Sequence, residues 1–116
     1  MRRYRLCVDD RLYESSSPDD LIGDLDPEHI DSLFTIWIRK VLSEYGLKGV
    51  AERVCQHAIS AYNIAPDLMD AYEAMQWGAV YGFITESFDL SCKRGRKVAW
   101  LEGDRVFSFE MMEVEE

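Results

Sequence analysis

The chain has 116 residues, a length that fits one domain with one core, and 47% hydrophobic against 30% charged residues, a globular composition and not that of a disordered chain. Its formal net charge is −9, which sets most of its surface against nucleic acid and favours basic partners. The longest weakly charged run, residues 74–85, is twelve residues long, short of the roughly 20 that a spanning helix needs. The N-terminal "MRRYRLCVDD" lacks an apolar stretch of signal-peptide length, so the chain reads as a cytoplasmic protein with no membrane segment.

At the N-terminus, Tyr4, Leu6 and Val8 alternate with Arg3, Arg5 and Cys7. This period of two predicts a strand. "DDR" then turns the chain into a short second strand at Leu12 and Tyr13, and "SSSPDDLIGD" reads as a loop. From Asp9 to Asp31 there are nine acidic residues and one basic, Arg11.

The first helix opens at Asp26 as N-cap, with Pro27 at the first helical position and Glu28 in the first turn. Ile30, Leu33, Phe34, Trp37, Ile38, Val41, Leu42 and Tyr45 recur at spacings of three and four, an apolar stripe, and Gly46 ends it as a left-handed cap. A second helix is expected from about Leu47 to Tyr62, with Val50, Val54, Ala58 and Ile59 inward and Leu47 and Cys55 beside them. "IAPD" opens a third, with Pro66 in its first turn and Leu68, Met69, Tyr72, Met75, Ala79 and Phe83 inward. Gly78 and Gly82 interrupt this pattern at about 1 kcal/mol each, predicting a bend or split.

The C-terminal "VAWLEGDRVFSFEMM" reads as a hairpin. A two-residue turn at Gly103 and Asp104 sets Glu102 opposite Arg105, Trp100 opposite Phe107 and Val98 opposite Phe109, with Met111 on the same apolar face. The expected architecture is α+β: a three-helix core packed on a small antiparallel sheet formed by the N-terminal strand and the C-terminal hairpin, as one acidic domain over 1–116.

Catalytic and metal signatures fare poorly. An EF-hand register starting at Asp24 puts His29 where glycine is needed and Thr35 where a bidentate acid is needed. His29 and His57 lack HExxH-type partners and read as surface histidines, and Cys55 and His57 are two apart on a helix and point apart. Cys7, Cys55 and Cys92 form no CxxC pair and read as buried or half-buried free thiols. No Gly-rich phosphate loop is present, so no enzyme activity, metal or cofactor is expected. Trp37, Trp100, Phe34, Phe107 and Phe109 are assigned to the core, and so, less clearly, are Trp77 and Tyr81, whose alternative is an exposed patch on the third helix.

What remains is charge. The expected function is a non-enzymatic inhibitor that docks an acidic strip on the basic, nucleic-acid-binding surface of a partner protein. Asp19, Asp20, Asp24, Asp31 and Glu14 form the strip, and the Glu-rich tail after Glu110 adds to its field. By analogy of composition alone, with no motif match, small acidic phage antidefence proteins that mimic nucleic acid and toxin-immunity proteins use this logic. The alternative is a nucleic-acid-associated regulator whose contact is the basic knot Lys93, Arg94, Arg96 and Lys97. Leftover aromatic and Met residues on the third helix leave room for a homodimer.

Overall fold

The computed structural model describes residues 1–64 and 71–113. In chain order the elements are β1 (Arg2–Val8), β2 (Arg11–Ser15), α1 (Pro18–Gly23), α2 (Pro27–Ile64), α3 (Ala71–Arg94), β3 (Val98–Glu102) and β4 (Arg105–Glu113). The strands form one antiparallel sheet in the order β2-β1-β4-β3, with helices on one face: an α+β architecture.

The alternation in β1 puts Leu6 and Val8 in the core and leaves Arg3, Arg5 and Cys7 on the outer face. Asp9, at φ 52°, makes the tight turn into β2, where Tyr13 points inward and Leu12 outward. The C-terminal hairpin has the expected register, Val98 to Phe109, Trp100 to Phe107 and Glu102 to Arg105. β4 also pairs along its length with β1, from Arg2 opposite Glu113 to Val8 opposite Phe107. Phe107 and Phe109 thus sit at the centre of the sheet with no exposed surface. Phe88 meets Phe109 edge-on at 5.3 Å, Phe83 stacks on it at 6.1 Å, and Tyr4 closes on Phe88 at 5.0 Å.

Two expectations about the helices, the loop before Asp26 and the break in the third helix, need correction, while the division at Gly46 is as expected. The segment read as a loop contains α1: Ser17 caps it by accepting from the Asp19 N–H, Pro18 opens it, and Leu21 and Ile22 enter the core. Gly46 does adopt a left-handed φ of 74°, but helix resumes at once, so α2 is two helical halves joined at a one-residue elbow. α3 runs unbroken through Gly78 and Gly82. Those glycines admit His57: a Cβ at Gly78 would lie 3.2 Å from the His57 Cβ, and one at Gly82 3.4 Å from its Cε1.

This close approach explains how the second half of α2 is oriented. Val50, Val54 and His57 face inward, at spacings of four and three, while Leu47 and Ile59 point to solvent, Leu47 at 79% exposure. Leu42, Tyr45 and Tyr72, expected inside, are also exposed. Met75 packs against the core, and Ala79 and Phe83 are within it. Pro66, Leu68 and Met69 lie outside the described residues, as does the side chain of Ala58. Cys7 is half-buried and Cys55 and Cys92 are exposed, so only the first fits the expected burial.

The elbow and α1 make a contrasting pair of substitutions. Gly46, at φ 74° and ψ −176°, lies in a backbone region open essentially to glycine alone, so Gly46→Ala is expected to cost about 1–3 kcal/mol. Gly23 lies in helical backbone, and a Cβ there would meet nothing within 4 Å, so Gly23→Ala should gain roughly 0.4–1 kcal/mol. Urea denaturation midpoints of the two variants, moving in opposite directions, check this.

Candidate functional site

The acidic run is divided by the fold into two groups. The first is tied up by arginine. Glu14, half-buried on the outer sheet face, accepts from Arg3 (2.7 and 3.0 Å) and from Arg5 (2.9 Å). The Arg3 hydrogen bond is the main reason its carboxyl is held below the usual range. Asp26 pairs with Arg11, which also lies over the Tyr13 ring, and Glu28 pairs with Arg105 at 3.1 Å. Glu14 is therefore placed apart from the aspartates with which the sequence grouped it.

The second group faces water. Asp19 and Asp20 are exposed on the first turn of α1, and Asp24 is exposed at its C-cap. Among the described residues, Asp20 and Asp24 make no ion pair. Asp31, on the second turn of α2, accepts from Gln76 Nε2 at 2.6 Å. The Asp19 carboxylate lies near enough to the Tyr81 hydroxyl that its proximity, with some burial, raises the Tyr81 pKa. Both contacts reach α3, five residues apart, or roughly 7.5 Å of helical rise. Asp19 and Asp31 thus bracket a short stretch of α3 that includes Trp77, and Asp20 and Asp24 sit on α1 beside it. Trp77 is not in the core: it stacks on Tyr81 at 5.3 Å and keeps 36% of its surface exposed.

At the start of α2, Asp26, Glu28 and His29 bring ligand-type atoms within 4.8 Å of one another. His29 is buried, at 7% exposure, not on the surface as its sequence context implied. The Tyr13 hydroxyl accepts from the Asp26 backbone N–H (3.3 Å) and lies 2.8 Å from His29 Nδ1. The hydroxyl and Nδ1 share one hydrogen bond, and the other ring nitrogen, Nε2, lies 3.8 Å from Glu28 Oε1. A cation here would have to displace Arg11 from Asp26 and Arg105 from Glu28. The cluster is a satisfied anchor that fixes the start of α2 to β2 and β4.

His57 forms part of a recess of about 270 Å³ at the elbow, with Trp37, Lys40, Glu44, Tyr45, Arg53 and Glu86 among its walls. Its ring meets Trp37 edge-on at 5.4 Å. Lys40 bridges Glu44 (3.4 Å) and Glu86 (3.2 Å), and Arg53 lies over the Tyr45 ring, so these charges are already engaged. Burial alone lowers the His57 pKa.

Lys93 and Arg94 occupy the last turn of α3, where they complement the helix dipole. Arg96 and Lys97 follow, exposed, after Gly95 at φ 65°, and Ser91 Oγ donates to the Arg96 carbonyl at 2.8 Å. No helix among the described residues is long and apolar enough to cross a membrane. Comparison of the chain with protein-family models, curated proteins and solved structures gives no match.

Two outcomes follow. Tyr13→Phe removes the group that satisfies both the Asp26 N–H and the buried His29 ring, and is expected to cost about 1–3 kcal/mol in urea unfolding. For His57, a pKa lowered in the fold means that the unfolded chain takes up the proton first as pH falls. Stability should therefore drop as pH goes below about 6.5, the ordinary histidine value. The slope between pH 7.5 and 5.5 should be shallower in His57→Gln, measured by denaturation at each pH.

Proposed function

We propose that the protein is a non-enzymatic acidic interaction protein that docks on the basic, nucleic-acid-binding surface of a partner protein and inhibits it by occupying that surface. The docking residues are Asp19, Asp20, Asp24 and Asp31. The observation that carries this is the division of the acidic run. Arg3, Arg5, Arg11 and Arg105 neutralise Glu14, Asp26 and Glu28, while the aspartates of α1 stay exposed, Asp20 and Asp24 without a cation among the described residues. Exposed carboxylates on one short helix in a chain of net charge −9 project a negative field that speeds encounter with a cationic surface. They stand in for phosphates, as in nucleic-acid mimics of antidefence type and immunity-type inhibitors. Glu14, held by two arginines, contributes little to that field.

Affinity capture of the tagged protein from its native host should recover a basic protein in a salt-sensitive complex. With that partner, Asp20→Lys combined with Asp24→Lys is expected to slow association about tenfold or more at low salt, with stability changed by no more than about 0.5 kcal/mol. An unchanged association rate overturns the docking assignment. Tight, salt-dependent binding of the wild-type chain to duplex DNA or RNA would instead place the contact at Lys93, Arg94, Arg96 and Lys97.

A further inference from the structure

We infer that the partner's docking segment is recognised through arginine and not through cationic charge in general, with a guanidinium lying against Trp77. This rests on the acidic-docking reading and adds a chemical identity to the partner.

Glu73, Trp77 and Tyr81 recur every four residues and so form one stripe along α3. Trp77 and Tyr81 are stacked, with an interplanar angle of 15°, and Trp77 keeps over a third of its surface in water. A tryptophan left out of the core beside carboxylates is a feature of binding surfaces more than of solvated ones. The Asp19 carboxylate lies near the Tyr81 hydroxyl at one end of the stripe, and the Asp31 carboxylate is at Gln76 alongside. The Asp31 carboxylate has one described hydrogen bond, from Gln76, whereas a carboxylate offers about four acceptor positions.

An aromatic surface bracketed by carboxylates suits a planar guanidinium. It stacks on the indole while its N–H groups fan outward, in the ring plane, to acceptors on either side. A lysine ammonium is compact and strongly hydrated, and makes a point contact with a carboxylate without using the ring in this way. The complementarity is therefore of two kinds, charge from the aspartates and shape from Trp77, and only arginine uses both.

The test uses the full chain and two fluorescent synthetic peptides of equal length and charge, one all-arginine and one all-lysine, with anisotropy as the readout. The arginine peptide is expected to bind about three- to fivefold more tightly, the upper part of the range for a guanidinium on an exposed ring. Trp77→Ala should bring the two peptides to within about twofold, through loss of arginine-peptide affinity, and Trp77→Phe should keep part of the preference. Asp19→Asn with Asp31→Asn should weaken both peptides. Equal binding of the two peptides, or a preference that survives Trp77→Ala, overturns the aromatic inference and leaves acidic docking standing. If neither peptide binds at low salt, the docking reading fails and this inference falls with it.

Discussion

Phe107 and Phe109 lose all contact with solvent because β4 is flanked on both sides, by β1 from the start of the chain and by β3 from its own hairpin. That three-strand register holds the rest in place. Side chains alternate across a sheet with period two, so a slip of one residue in β4 would turn Phe107 and Phe109 outward and present Val106 and Ser108 to the helices, and the same slip in β1 would exchange Leu6 and Val8 for Arg5 and Cys7. The helices have no other large apolar surface to pack on: Phe83, Ile84 and Phe88 of α3 bury against this face, and α2 buries against α3. Truncating a fully buried phenylalanine costs roughly 3–5 kcal/mol, a large part of the roughly 5–15 kcal/mol by which a domain is stable.

The charged anchor at the start of α2 depends on the same register. Arg105 reaches Glu28 and Ser32 because β4 begins beneath the first turns of the helix, and Tyr13 reaches His29 because β2 is paired to β1 with Leu6 opposite Tyr13. The Asp26–Arg11 pair sits beside these groups at the helix entrance. The outcome is an α2 whose direction is fixed at its N-terminal end and adjusted once, at Gly46, so that its second half can lay His57 into the gap left by Gly78 and Gly82.

Strands and hairpin were legible in the sequence because their signals are local and self-checking. The alternation in β1 needs no partner to be read, and the Gly103–Asp104 turn predicts three cross-strand pairs that must all agree, as they do. The helices were less legible where their faces are set by contacts distant in sequence. Glycines in α3 read as breaks because their cost is local, whereas their benefit, room for His57, comes from a residue about twenty positions away. His29 read as a surface residue because its neighbours are acids, and its burial depends on Tyr13 and Phe107 arriving from two strands. α1 carried its own capping signals in Ser17 and Pro18, but at six residues it is too short to show a period.

The candidate site shows the same limit in electrostatic form. Sequence density of Asp and Glu between residues 9 and 31 states how much charge is present and not how much is felt outside. Arginines at positions 3, 5, 11 and 105 cancel Glu14, Asp26 and Glu28, and one of those arginines lies over seventy residues from its partner. What they do not reach is α1 and the α3 stripe next to it, where Asp31 meets an amide donor in place of a cation and Asp19 lies beside the Tyr81 hydroxyl. Neutral donors orient a carboxylate without removing its charge, so the fold leaves that side of the molecule both negative and ordered. Beside it stands Trp77, left outside the core. Under the proposed docking, pairing fixed carboxylates with an exposed indole would narrow the choice of partner further than charge can, because the Debye length of about 8 Å at physiological salt blurs a field long before it blurs a stacked ring.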